Sequence, residues 1–417
     1  MRRLRVALAV LALGLLAGCE DGIPNDGREH LVWVVPTDVY RPMIEGLVRD
    51  FERENPKIAI DMRWTPGGQY PTKLKTLIAA GKSPDIINCG DVWVEYLKPF
   101  LSDLTDLGTR DAREIALDDL YPAVRESCEP KGRLYYLPRT FNVSLLYYNR
   151  TLFDARKEPY PTADWTWDDY VASAKRLTVR GSDGKVQTWG SNIVTGWWGE
   201  WLTIIHQEGG DFFGPHGRCV LDTPAAIRGL TLYRDKITTL GISPPPGYGP
   251  PTGFASGKLA MDYTGHTGLW PTYAKLPDLD WDIEALPKGP SGRRGGEVSV
   301  DAIGVAKATP HREAAWRFVK FMASPYSIRQ HIKNGFLSVR RSLTGEMKLQ
   351  RPHNLRAVET ALASAESNPR TTDFLEIALD LVQPEIDRML TDGVPPEVAA
   401  KRATAAANTF LDAAGTR

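Results

Sequence analysis

Apolar positions along this chain switch between two periods. His30-Leu-Val-Trp-Val-Val-Pro36 is a continuous apolar run of strand length. Pro42 to Asn55 then sets Ile44, Leu47, Val48 and Phe51 on one helical face, and Asn55-Pro56 stops it. Ile58 to Trp64 returns to alternation. Tyr70 to Ala80 repeats the helical spacing through Leu74, Leu77 and Ile78 and closes at Gly81. Pro84 to Asn88 is a third short strand, and a helix begins within Asp91 to Leu97. Strand, helix, strand, helix, strand predicts a parallel sheet covered by helices, an α/β fold.

The middle of the chain is mixed. Arg133 to Pro138 and Val143 to Asn149 read as extended segments that cross between units. Thr166, with Asp169 three positions on, caps a helix running to Leu177. Trp197 to Gln207 and Pro224 to Leu240 are further helices. Pro244-Pro-Pro-Gly-Tyr-Gly-Pro-Pro251 is the strongest break, either a surface loop or a connection between lobes. Ala302 to Ala306 is a late apolar strand. Thr309-Pro310 then opens a helix with Ala314, Phe318 and Met322 along one face. Segments 355–365, 373–390 and 395–413 are helical.

The first nineteen residues follow a different logic. Arg2, Arg3 and Arg5 precede a small and apolar run from Val6 to Gly18, the pattern of a secretory signal. That run is too short to span a bilayer, which needs about 20 apolar residues. Its ending, Leu16-Ala17-Gly18-Cys19, resembles the bacterial lipobox. The resemblance implies cleavage before Cys19, lipidation of its thiol, and an exported protein held at the cell envelope. Residues 19–29 are polar and suit a tether.

Composition narrows the function classes. Lys plus Arg and Asp plus Glu are both 51, which gives no support to binding nucleic acid. An apolar share of 42% and a charged share of 24% suit a soluble globular chain with room for two domains. Twelve tryptophans are the outlier of the composition; large aromatics are usually core, but flat indole faces also suit the C–H faces of sugar rings. Of Cys89, Cys128 and Cys219, the last two are the pair that a disulfide in an exported protein would use. No spacing fits a metal site, and no motif calls for a cofactor.

Several blocks, in order, carry a family resemblance. They are Phe51-Glu-Arg-Glu-Asn-Pro-Lys-Ile-Ala-Ile60; Tyr70 with Lys73-Leu74, Ala79-Ala80-Gly81 and Pro84-Asp85; and Leu134-Tyr-Tyr-Leu-Pro138 with Leu146-Tyr-Tyr-Asn149 and Leu152-Phe153. Pro161, Thr166-Trp167-Asp168 and Ala174-Lys-Arg-Leu-Thr178 follow. Phe254-Ala-Ser-Gly-Lys-Leu-Ala-Met261, Gly268-Leu-Trp270 and Ala314-Ala-Trp-Arg-Phe-Val-Lys-Phe321 complete the set. Together they resemble the extracellular sugar-binding lipoproteins of bacterial ABC importers, the maltose-binding-protein-like group. The resemblance spans nearly the whole chain. It implies a two-lobed periplasmic-binding-protein fold of type II, with crossing hinge strands. Residues 30–138 plus 288–324 would form one lobe and 139–287 plus 325–417 the other. It also implies a carbohydrate in the interlobe cleft, delivery to importer permease subunits, and a monomer without enzymatic activity.

Candidate ligand residues follow from strand ends and aromatic faces. Asp38 and Tyr40 follow the first strand, and Asp91 and Trp93 follow the third; each Asp could accept sugar hydroxyls or cap the next helix. Tyr70, Trp197, Trp198 and above all Trp270 are stacking candidates, with core packing as the alternative. Arg139 could fork onto a ligand or form an interlobe ion pair. Asp301 and Arg340 are further candidates, and His266 is a weaker one. Two other readings remain at this point. One is the same fold binding a glycerophosphodiester, polyol or other solute; the other is an exported glycosidase, for which no motif orders the necessary two carboxylates.

Overall fold

A β-strand alternates its side chains and a helix gathers every third or fourth on one side, so both periods should build layers. The computed structural model describes residues 26–36, 41–66, 69–90, 95–129, 132–246, 250–348, 351–369 and 371–415. Strands β1 (Glu29–Pro36), β2 (Ile58–Thr65) and β3 (Ile86–Gly90) alternate with helices α1 (Arg41–Glu54) and α2 (Tyr70–Ala79). β1 lies between β2 and β3 and is parallel to both. α1 buries Ile44, Leu47, Val48 and Phe51, the four residues its spacing selects.

The two extended segments of the middle region are one strand, β4 (Tyr136–Asn149). Its first half pairs antiparallel with β9 (Glu297–Val305). Its second half pairs with β7 (Leu259–His266) on one side and β8 (Trp281–Glu284) on the other. β5 (Val179–Arg180) and β6 (Val186–Ser191) extend the β7 edge, and β10 (Glu366–Ser367) joins β9. The strand order is β2-β1-β3-β9-β4-β7-β6-β5. Thus β4 and β9 carry one ladder from a first α/β lobe into a second.

The remaining long helices are α3 (Trp167–Leu177), α4 (Gly199–Gln207), α5 (Pro224–Asp235), α6 (Arg312–Met322), α7 (Pro325–Lys333), α8 (Arg356–Ala363), α9 (Gln383–Thr391) and α10 (Pro396–Gly415). α3 starts in a reciprocal capping box between Thr166 and Asp169. α6 begins later than Thr309-Pro310. The Thr309 hydroxyl instead donates to Asp85 Oδ1 and accepts from the His311 amide, tying the helix entry to the root of β3.

Two apolar clusters result. One holds Trp33, Phe51, Ile87, Phe141 and Phe318, and continues through the hinge to Tyr147, Trp270 and Trp281. The other holds Tyr170, Trp201, Ile205, Tyr263, Phe374 and Met389. Ile328, Ile332, Leu337 and Val339, from the segment grouped by sequence with the second lobe, are buried in the first cluster, where α7 packs on α6 and β4. Cys89, Cys128 and Cys219 are all buried, and none of the three forms a disulfide. Cys128 sits in the first cluster and Cys219 in the second, so the expected pairing of these two does not form. Among the described residues no helix is long and apolar enough to cross a membrane.

Candidate functional site

The hinge strands have two chemically different faces. Phe141, Val143, Val298 and Val300 are buried in the first cluster. Alternating with them, Asn142, Ser299 and Asp301 are half-buried, and Glu297 continues the row at the second lobe. Asn142 is directly opposite Ser299, and Thr140 opposite Asp301. Four residues of strand at about 3.3 Å each give this polar row a length of roughly 13 Å, enough to run under a small solute. β3 ends beside it: Gly90 pairs with Asp301, and a Cβ at Gly90 would stand 2.7 Å from the Val300 carbonyl oxygen. Glycine is what lets β3 approach this closely.

A bulge sets the charge at one end. The β4–β9 register shifts between Pro138 and Thr140, leaving Arg139 as the extra residue. Its buried guanidinium donates from one nitrogen to both oxygens of Asp301, at 3.0 and 2.9 Å, and lies 5.6 Å from the Trp33 ring centre. The Asp301 side chain remains 35% exposed. It is therefore a fixed acceptor that remains accessible from outside. At the other end, His266 follows from β7, opposite Ser144. Its Nε2 is 3.0 Å from Glu297 Oε1, a close contact outside hydrogen-bond geometry. The half-buried Trp197 ring stands edge-on to His266, 4.9 Å away. The hydroxyl of Thr267 lies 3.5 Å from Asn142 Oδ1. A Cβ at Gly268 would come within 2.9 Å of that same oxygen.

An aromatic face, fixed acceptors and paired charges between two lobes are the groups that a receptor for a polar solute would use. Residues 35–326 match the model of the family described as bacterial extracellular solute-binding protein. The chain belongs to that family. A putative binding protein of Brucella abortus is 24% identical over 379 residues, covering 89% of this chain and 90% of the relative. An ABC substrate-binding protein of Listeria monocytogenes, solved with cycloalternan, superposes with a TM-score of 0.83 at 24% identity, covering 92% and 99% of the two chains. A solute-binding protein of Agrobacterium vitis with bound D-mannitol gives 0.77 at 20% identity, covering 93% and 99%. The solute-binding protein thus has the type II periplasmic-binding-protein fold, a curled mixed sheet in two α/β lobes.

The other candidates fall elsewhere. Asp38, Tyr40, Asp91, Trp93 and Cys19 lie outside the described residues. Trp270 is 1% exposed and belongs to the first cluster, so its ring is core rather than platform. The short helix Trp270–Tyr273 turns it inward, directly after His266 to Gly268, which border the hinge strand at Asn142 and Ser144. Trp198 is buried against Phe374, and its indole donates to Asn368 Oδ1 at 2.8 Å. The adjacent tryptophans therefore divide, one in the core and one half-buried. Tyr70 is fully buried and donates to the Asn88 carbonyl at 2.9 Å. Burial drives its phenol well above the ordinary value. Arg340 is a structural cation: it donates to the carbonyls of Ala323 and Ile115, at 2.9 Å each, inside the protein.

Asn142, Thr267 and Glu297 were missed as site residues. The sequence does carry a signal for Asn142 and Ser144. They alternate with Phe141, Val143 and Leu145, which is the period of a strand with one polar face. Glu297 joins the site only through the fold. Among the described residues no group of three or more His, Cys, Asp or Glu could hold a metal ion.

Proposed function

We propose that this solute-binding protein captures a sugar or polyol between its lobes and delivers it to the permease of an ABC importer. The observation that carries the reading is the hinge face itself. Its row of Asn142, Ser299, Asp301 and Glu297 presents hydrogen-bonding groups, with a half-buried indole at one end. Hydroxyls need acceptors and donors in fixed places, and a pyranose or extended polyol also presents C–H bonds to an aromatic ring. Cycloalternan and D-mannitol in proteins of this fold support the same ligand class. The division into lobes at 138/139 and 287/288, Asp38, Tyr40, Asp91 and Trp93 as further contacts, lipidation at Cys19 and a monomeric state belong to this reading. The solute leaves chemically unchanged, because the reading requires binding and release only.

The test is a thermal-shift screen against sugars, polyols and glycerophosphodiesters. At 100 times its dissociation constant a ligand stabilises by about 2.7 kcal/mol, a shift of several degrees at most. A sugar or polyol is expected to raise the midpoint. Stabilisation by glycerophosphodiesters alone contradicts the assignment.

A further inference from the structure

The reverse face of the hinge borders a cavity. Strand alternation turns Tyr147 away from the side of Ser144, and its ring packs on Tyr273 and Trp281, at 5.7 and 5.5 Å. Beyond these rings a cavity of about 950 Å³ opens between the lobes. Met43 of α1, Ile332 of α7 and Phe336 line it from the first lobe; Leu276 and Trp281 line it from the second. The two walls meet at Gly335, where a Cβ would lie 3.5 Å from Pro271. This volume is at the upper end of small-molecule sites, which run from roughly 300 to 1,000 Å³.

Its charge is one-sided. Lys275, Lys333, Lys348 and Arg351 line it, against Glu346 alone. Glu346 is already engaged by Arg329 at 2.8 Å, and Arg351 by Asp280 at 2.5 Å. The three lysines are exposed, and among the described residues none lies within ion-pair distance of a carboxylate. An apolar floor under uncompensated cations complements a molecule with an apolar body and one acidic end. A neutral sugar would leave both features unused.

We propose that this reverse-face cavity binds a small amphipathic anion, with its aliphatic or aromatic body on Met43, Leu276, Trp281 and Phe336. Its carboxylate or phosphate faces Lys275, Lys333 and Lys348. The site is separate from the solute cleft and does not depend on the sugar reading. Calorimetric titration of the full-length protein with octanoate tests it, with octanol and acetate as matched halves of the probe. Octanoate is expected to bind at least tenfold more tightly than either. The double variant Lys333→Glu/Lys348→Glu should weaken octanoate at least tenfold, whereas Lys175→Glu, on the exposed face of α3, changes it less than twofold. Both lysines are exposed, so the variant keeps its fold; an unchanged melting temperature checks this. Absence of octanoate binding overturns the proposal. So does equal binding of octanol, or equal weakening by Lys175→Glu.

Discussion

Lys236 and Glu200 are fully buried and joined by a direct ion pair in the second lobe, with the Lys236 ammonium 4.9 Å from the Tyr263 ring centre. Burial lowers the lysine's pKa and raises the glutamate's, each opposed by the partner's charge. Removing one partner strands the other, so Lys236→Met should cost about 3–5 kcal/mol in urea unfolding. A loss below about 1 kcal/mol would show that Glu200 simply takes up a proton. Asp262, nearby, accepts from Asn192 Nδ2 at 2.6 Å and from the Tyr273 hydroxyl at 3.2 Å. Burial pushes its carboxyl up to about 7. Because that lies above the ordinary value, the folded protein holds this proton more tightly than the unfolded chain does. Asp262's stabilising contribution is therefore full below about pH 4 and is lost as pH rises through about 7. Asp262→Asn should flatten the stability profile across that window and leave the protein more stable than its parent at pH 8. Parallel profiles would contradict the assignment.

Helix α4 shows how one element sets a site. A Cβ at its first residue, Gly199, would stand 2.1 Å from the Trp197 ring. Gly199→Ala therefore displaces the indole, even though alanine favours a helix by about 1 kcal/mol. Solute affinity should fall at least fivefold, while the melting temperature changes by no more than a few degrees; retained affinity would remove Trp197 from the site. The same helix shows what the sequence makes legible. Its apolar density predicts burial, but it is buried all round, from Gly199 to Gln207, so periodicity could not say which side faces the cleft. The α3 capping box and the α1 stripe were readable because their partners lie three or four residues apart. β4 was readable only in halves, since Arg139 interrupts it with a bulge whose reason is Asp301, 162 residues further on. Trp270 misled for a related reason. Its neighbours His266 to Gly268 do face the hinge, and only the intervening turn sends its ring into the core.

At the scale of the molecule, two lobes share two strands, and in the proposed function the polar face of those strands is the floor of the cleft. A solute touching both walls favours the closed arrangement only by its extra contacts there, so affinity and closure are one equilibrium. Trp197 belongs to the second lobe and Asp301 to the hinge, so removing either should weaken binding without unfolding either cluster. Asp301→Asn keeps the shape and one acceptor oxygen, but removes the anion opposite Arg139; a solute hydroxyl bonded there should bind about tenfold more weakly, or about 1.4 kcal/mol. Calorimetry of that variant with the screened solute checks this, and unchanged affinity would place the solute away from the Arg139 end. The most direct measurement of the whole account is a calorimetric titration of the protein and of Trp197→Ala with the sugar or polyol that stabilises it best. Saturable binding of one solute per chain, weakened at least tenfold in the variant while its melting temperature holds, is the predicted result. Equal affinity in the two proteins, or no saturable binding of any sugar or polyol, would contradict capture at the hinge face.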